Sequence, residues 1–173
     1  MPRDKLTDLL KGADRRSIGR SNDAVALVLC EPRRFPELIG LLWSDDPLVR
    51  MRAADAAEKV TVKRPELLRP HKRELLGLLA EAEQIELRWH LAAMVTRLEL
   101  SAAERLRAAA ALQRYLEDRS SIVKTFAMHG LVDLARHDPA LRETAKQTLE
   151  EALRTGTPAM KARARKLLKG LQN

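Results

Sequence analysis

Two tryptophans, two phenylalanines and one tyrosine are the only aromatic residues among 173, and glycine occurs just seven times. A chain so poor in aromatic and turn-forming residues, and so rich in alanine and leucine, favours helices over sheets. The single cysteine, Cys30, excludes an internal disulfide and points to a reducing compartment. No apolar run behind the opening Met-Pro-Arg-Asp-Lys could serve as a signal segment. No stretch approaches the ~20 apolar residues that a membrane span needs. These absences lead to the expectation of a cytoplasmic protein without a membrane partner.

Signatures of catalysis are missing as well. The chain has no Gly-x-Ser-x-Gly elbow, no Walker loop and no Gly-x-Gly-x-x-Gly fingerprint. His71, His90, His129 and His137 include no pair at the i, i+4 spacing of a helical metal site, so neither a metal nor a cofactor is expected. Asp55, Glu58, Glu86 and Asp133 have basic residues nearby, the usual setting of solvated or paired acids. The expectation is therefore a protein that is not an enzyme. Its formal net charge of +8 invites an acidic partner or nucleic acid. The excess is modest, because 24 acidic residues are interleaved with 32 basic ones.

What is present is a repeat. Leu38, Leu75, Leu112 and Leu149 step by 37 residues (75−38, 112−75, 149−112), and Leu42, Leu79, Leu116 and Leu153 step alongside. A period in this range marks a stacked repeat architecture. Basic markers recur at Arg50, Arg88, Lys124 and Lys161. From the residue before each marker, apolar positions follow at offsets of 0, 4, 8 and 11, as in Val49, Ala53, Ala57 and Val60. Such a stripe runs down one side of an α-helix. Each unit is thus a helix A carrying the leucine columns and a helix B carrying the marker, joined by a short turn and antiparallel.

Turn chemistry agrees. Ser44-Asp45-Asp46-Pro47, Asp118-Arg119-Ser120-Ser121 and Thr155-Gly156-Thr157-Pro158 separate A from B, with Thr157 suited to an N-cap. Lys63-Arg64-Pro65, Ser101 and His137-Asp138-Pro139 end B helices. The expected organisation is one domain over 1–173, an all-α solenoid of about five helix pairs. Units fall near 35–62, 66–98, 102–137 and 139–172, after a degenerate capping unit near 3–31 whose B helix begins near Asn22.

The 37-residue helix pair and the run Asp46-Pro47-Leu48-Val49-Arg50-Met51-Arg52-Ala53-Ala54 resemble the HEAT repeats of the armadillo-type family, including bacterial HEAT-repeat domain proteins. The likeness covers about residues 3–171. It implies a right-handed superhelical stack with the B helices on the concave side. It also implies a ladder in which an Asp six residues before the marker pairs with arginines along the stack. Asp14–Arg20 and Asp118–Lys124 keep that spacing, while Ser44, Ala82 and Thr155 stand in the other three units, beside Arg50, Arg88 and Lys161.

Three functions fit such a stack. The first is an interaction scaffold or adaptor that binds an acidic or extended protein segment on the concave face of its B helices. Offsets two, five and nine beyond the markers nominate Arg52, Asp55, Lys59, His90, Arg97, Phe126 and His129, with Trp89 beside them as an aromatic anchor. Trp89 has an equally plain reading as packing between adjacent B helices, and Trp43 reads as an edge of the core. The second function is a nucleic-acid binder, since alkyl-purine DNA glycosylases are HEAT-like and Trp89 with Asp55 could imitate their aromatic–acid constellation. The third is a lyase helper resembling HEAT-like bilin lyases. Lys161, Arg163, Arg165, Lys166 and Lys169 on an acid-free last helix form a competing basic site.

Overall fold

The computed structural model describes residues 5–12 and 17–171. Among these residues there are ten α-helices and no strand. They are α1 (Leu6–Leu10), α2 (Ser21–Cys30), α3 (Phe35–Gly40), α4 (Pro47–Lys63), α5 (Lys72–Glu81), α6 (Ile85–Val95), α7 (Ala102–Tyr115), α8 (Ser121–His137), α9 (Arg142–Thr155) and α10 (Pro158–Leu171). Short 3-10 turns precede α3, α5 and α9, and another follows α3. No described helix is long and apolar enough to cross a membrane.

Local chemistry sets the helix starts. Asp46 caps α4 by accepting from the Leu48 N–H at 2.8 Å, with Pro47 in the first turn, where its missing N–H costs nothing. Ser101 and Glu104 form a reciprocal capping box at α7. Ser120 caps α8, and the Thr157 hydroxyl accepts from the Met160 N–H at 3.3 Å to open α10.

The helices pack in a regular order. α2 touches α4, α4 touches α6, α6 touches α8 and α8 touches α10, while α5 lies beside α7. Leu38, Leu75, Leu112 and Leu149 are all buried, at 1% exposure or less. The second leucine column is buried at Leu42 and Leu79 but only half-buried at Leu116 and Leu153. The B stripe is buried as well, from Val49 and Ala53 through Leu91 and Ala127 to Ala164. Gly130 lets α8 approach closely. A Cβ there would lie 2.9 Å from the Leu112 side chain and 3.2 Å from the Ala92 carbonyl.

Polar side chains link successive helix pairs, with an acid–arginine pair at one of these steps. Arg50 donates to the Ser44 carbonyl at 2.6 Å and to Gln84 of the next unit at 2.8 Å. Arg88 repeats the device, donating to the Ala82 carbonyl at 2.7 Å and to Asp118 of the next unit at 2.6 Å. Asp118 therefore pairs with Arg88 from the unit before, not with Lys124 of its own unit. Lys124 and Lys161 form no ion pair among the described residues. Arg20 pairs locally with Asp23, and Asp14 lies outside the described residues. Trp43, expected at the edge of the core, is 48% exposed at the end of its 3-10 turn.

Candidate binding face

Three of the nominated residues, Arg97, Phe126 and His129, come together in one cleft of about 340 Å³ between α4, α6 and α8. Its floor is small and backbone-like at Ala92, Ala93 and Gly130. Phe126 is half-buried, and its ring lies 5.2 Å from that of Trp89. Trp89 thus packs between α6 and α8 as a half-buried platform.

The charges of the cleft are mostly matched within the chain. Arg97 donates to the Glu58 carbonyl and the Thr61 hydroxyl, each at 3.0 Å, and pairs with the Glu58 carboxylate. Arg136 pairs with Asp133 at 2.6 Å. Asp133 also faces His129 at 3.7 Å. Burial pushes the His129 pKa down; Asp133 opposes that shift, while Arg163, Arg136 and Lys166 reinforce it. Arg163 and Lys166 belong to α10, so the cations of the last helix act on the same face as His129. Both are exposed and form no ion pair among the described residues.

The other nominated residues sit elsewhere or are closed off. Asp55 accepts from Ser21 at 2.6 Å and from Lys59 at 2.7 Å, and Lys59 also donates to Asn22 at 3.0 Å. Both therefore join α4 to α2. Arg52, expected among the partner contacts, is only 2% exposed. Its guanidinium donates to the Leu10 and Lys11 carbonyls at 3.0 Å and to the Ser17 carbonyl at 3.0 and 3.1 Å. The chain passes so close over it that a Cβ on Gly19, whose φ is +54°, would lie 2.7 Å from Cζ. Arg52 is a staple for the N-terminal unit.

His90 is likewise buried, at 2% exposure, and its Nδ1 meets no hydrogen-bond partner among the described residues. Burial holds its pKa down to about 3, with Asp55 opposing and Lys59 adding to the shift. It is a neutral core residue rather than a contact. Trp89 packs on Phe126 and His90, while the Asp55 carboxylate is engaged by Ser21 and Lys59.

Several cleft residues were not among those nominated: Glu58, Thr96, Gly130, Asp133 and Arg136. The offset of nine, already used for Lys59 and Arg97, gives Asp133 beyond Lys124, and one further helical turn at offset twelve gives Arg136, so the register did contain a signal for them. Among the described residues no group of three or more His, Cys, Asp and Glu could hold a metal ion. No protein-family model, curated protein or solved structure matches this chain.

Proposed function

We propose that this chain is a non-enzymatic, cytoplasmic interaction scaffold. In this reading it is a right-handed α-solenoid of five HEAT-like helix pairs, and it holds an acidic, extended protein segment on the concave face formed by α6, α8 and α10. The 37-residue leucine step and the order in which α2, α4, α6, α8 and α10 pack support the solenoid.

The observation that carries the binding reading is the uneven matching of charge along the face. Asp55, Glu58 and Asp133 are all paired within the chain, whereas Arg163 and Lys166 are not. An incoming carboxylate would find unmatched cations at the α10 end and an aromatic flank at Phe126. Rim cations of this kind steer encounter and set orientation. Mixed charge with an apolar wall suits a polypeptide better than a uniform polyanion.

The test is fluorescence anisotropy with a glutamate-rich extended peptide and with duplex DNA across a salt series. Arg163→Glu with Lys166→Glu should weaken peptide binding by about tenfold or more while leaving the thermal midpoint in place. Peptide affinity that survives the double reversal would remove this face as the site. Tighter binding of the duplex with a steep salt slope would favour a nucleic-acid binder instead.

A further inference from the structure

A second surface lies on the A helices. A groove of about 570 Å³ runs between α5 and α7, lined by Arg73, Leu76, Gly77 and Ala80 on one side and by Glu104, Arg107 and Ala108 on the other. The α5 positions are spaced 3, 1 and 3 residues apart, which is one stripe along a helix. Leu76, Gly77, Ala80 and Ala108 give it an apolar floor, and Leu106, next to Arg107 on α7, is 50% exposed.

Gly77 has no internal reason to be glycine. It sits inside α5, where glycine is the least favoured residue apart from proline. A Cβ at this position would meet nothing within 4 Å, unlike one at Gly130, where α6 and α7 press close. The space above Gly77 is open, as it is above Gly40 in α3.

The charges around the groove narrow what that something is. Arg73 and Arg107 are exposed and form no ion pair among the described residues. Arg114 lies at the Ala80 end, with its guanidinium 3.4 Å from the Ala80 carbonyl. Among the residues that line the groove the one acid, Glu104, is engaged by Lys72 at 2.8 Å and by the Ser101 N–H at 2.7 Å. The groove therefore combines an apolar, shallow-floored centre with unmatched guanidinium groups at its margins.

We infer that the α5–α7 groove docks an amphipathic helix of a protein partner, its small and apolar residues over Gly77 and its acidic flanks against Arg73 and Arg107. This is the helix-in-groove mode, in which anchors recur at i, i+3 or i+4 and i+7. Two helices side by side supply the ridge spacing that receives a third. This surface is separate from the α6–α8–α10 face and does not depend on it.

The probe is a stapled helix of about five turns, with alanine and leucine on one face and glutamate on both flanks; a version with lysine on the flanks is the control. It is titrated into the full chain and followed by anisotropy and by amide chemical shifts. The glutamate helix should shift amides of Lys72–Glu81 and Ala102–Tyr115, and the lysine helix should not bind. Gly77→Leu fills the groove, and Arg73→Glu with Arg107→Glu reverses its margins; each should weaken binding by about tenfold or more. Circular dichroism and the thermal midpoint confirm that both variants fold. The inference is overturned if the glutamate helix does not bind, if both variants bind it as tightly as the parent, or if the shifts fall on α8 and α10. It is also overturned if sedimentation shows a dimer that Gly77→Leu abolishes, because the occupant is then a second copy of the chain.

Discussion

Arg52→Ala separates a structural arginine from a surface one. The guanidinium reaches the Leu10 and Lys11 carbonyls on one side and the Ser17 carbonyl on the other, so it closes the N-terminal segment against α4. Hydrogen bonds from a charged donor contribute about 1.5–3 kcal/mol each, and truncation strands their acceptors beside a void. The summed loss is limited by detachment of the N-terminal segment, which returns those carbonyls to water. A net cost of about 3–5 kcal/mol follows. For a chain of this length that lowers the thermal midpoint by about 10 °C. Hydrogen exchange should show amides of α1 and of residues 17–21 losing protection while those of α8 keep it. Arg52→Lys should fall between, since one ammonium cannot reach carbonyls on both sides. A surface arginine would change the midpoint by no more than about 2 °C. A drop that small would refute the staple.

Other expectations follow from burial and space. Alanine at Gly77 should raise stability by about 1 kcal/mol, because its Cβ meets nothing within 4 Å. The same change at Gly130 should lower it by about 1–2 kcal/mol, because the Cβ would press on the Leu112 side chain and the Ala92 carbonyl; urea melts of the two variants compare the signs. Leu112→Asp places an unpaired charge at a position with 0% exposure and should cost several kcal/mol, or about 3–5, in the same assay. His90 takes up its proton near pH 3 when folded and near 6.5 when unfolded, so the unfolded chain binds more protons between those values. Its contribution is present above the unfolded pKa and is lost as the pH falls, by about 2–3 kcal/mol at pH 4.5. In His90→Leu the gap between urea midpoints at pH 7 and pH 4.5 should shrink by that amount; an unchanged gap would mean that His90 is not buried neutral.

The helical plan was legible because two periods coincide. The 37-residue step fell on buried leucines of four helices, Leu38, Leu75, Leu112 and Leu149. The offsets of 0, 4, 8 and 11 fell on the buried side of α4, where Val49, Ala53, Ala57 and Val60 are all at 1% exposure or less. The last two positions of the same stripe on α10, Leu168 and Leu171, are half-buried. Pairing was legible only in part. The ladder implied by the resemblance, an acid pairing with arginines along the stack, has a counterpart in Arg88 and Asp118, whereas Arg50 meets Gln84 at the equivalent step. Within their own turns Arg50 and Arg88 use the Ser44 and Ala82 carbonyls. A backbone carbonyl is available whatever side chain occupies that position, so serine and alanine serve there as well as an acid would. The identity of residue 44 or 82 therefore carries no signal of the bond.

Register gives the direction of a side chain but not what covers it. Arg52, His90, Phe126 and Arg163 all lie two residues beyond a marker (50+2, 88+2, 124+2, 161+2), and a reading by periodicity alone treats them alike. Arg52 is closed over by backbone at Leu10–Gly12 and at Ser17 and Gly19, whose placement no period encodes. His90 is buried at the contact of α4 and α6, beside the bulk of its own neighbour Trp89. Phe126 is half-buried against Trp89, and Arg163 stands exposed on a helix with no acid of its own. This position is thus buried on α4 and α6, half-buried on α8 and exposed on α10. Five residues beyond the markers the two ends differ likewise: Asp55 is engaged by Ser21 and Lys59, while Lys166 is exposed and has no ion-pair partner among the described residues. If an acidic segment binds the B helices, it should therefore be held at the α8 and α10 end, where the fold leaves its cations unmatched. Changes at Asp55 or Lys59 should then act on the stability of the N-terminal half and not on capture.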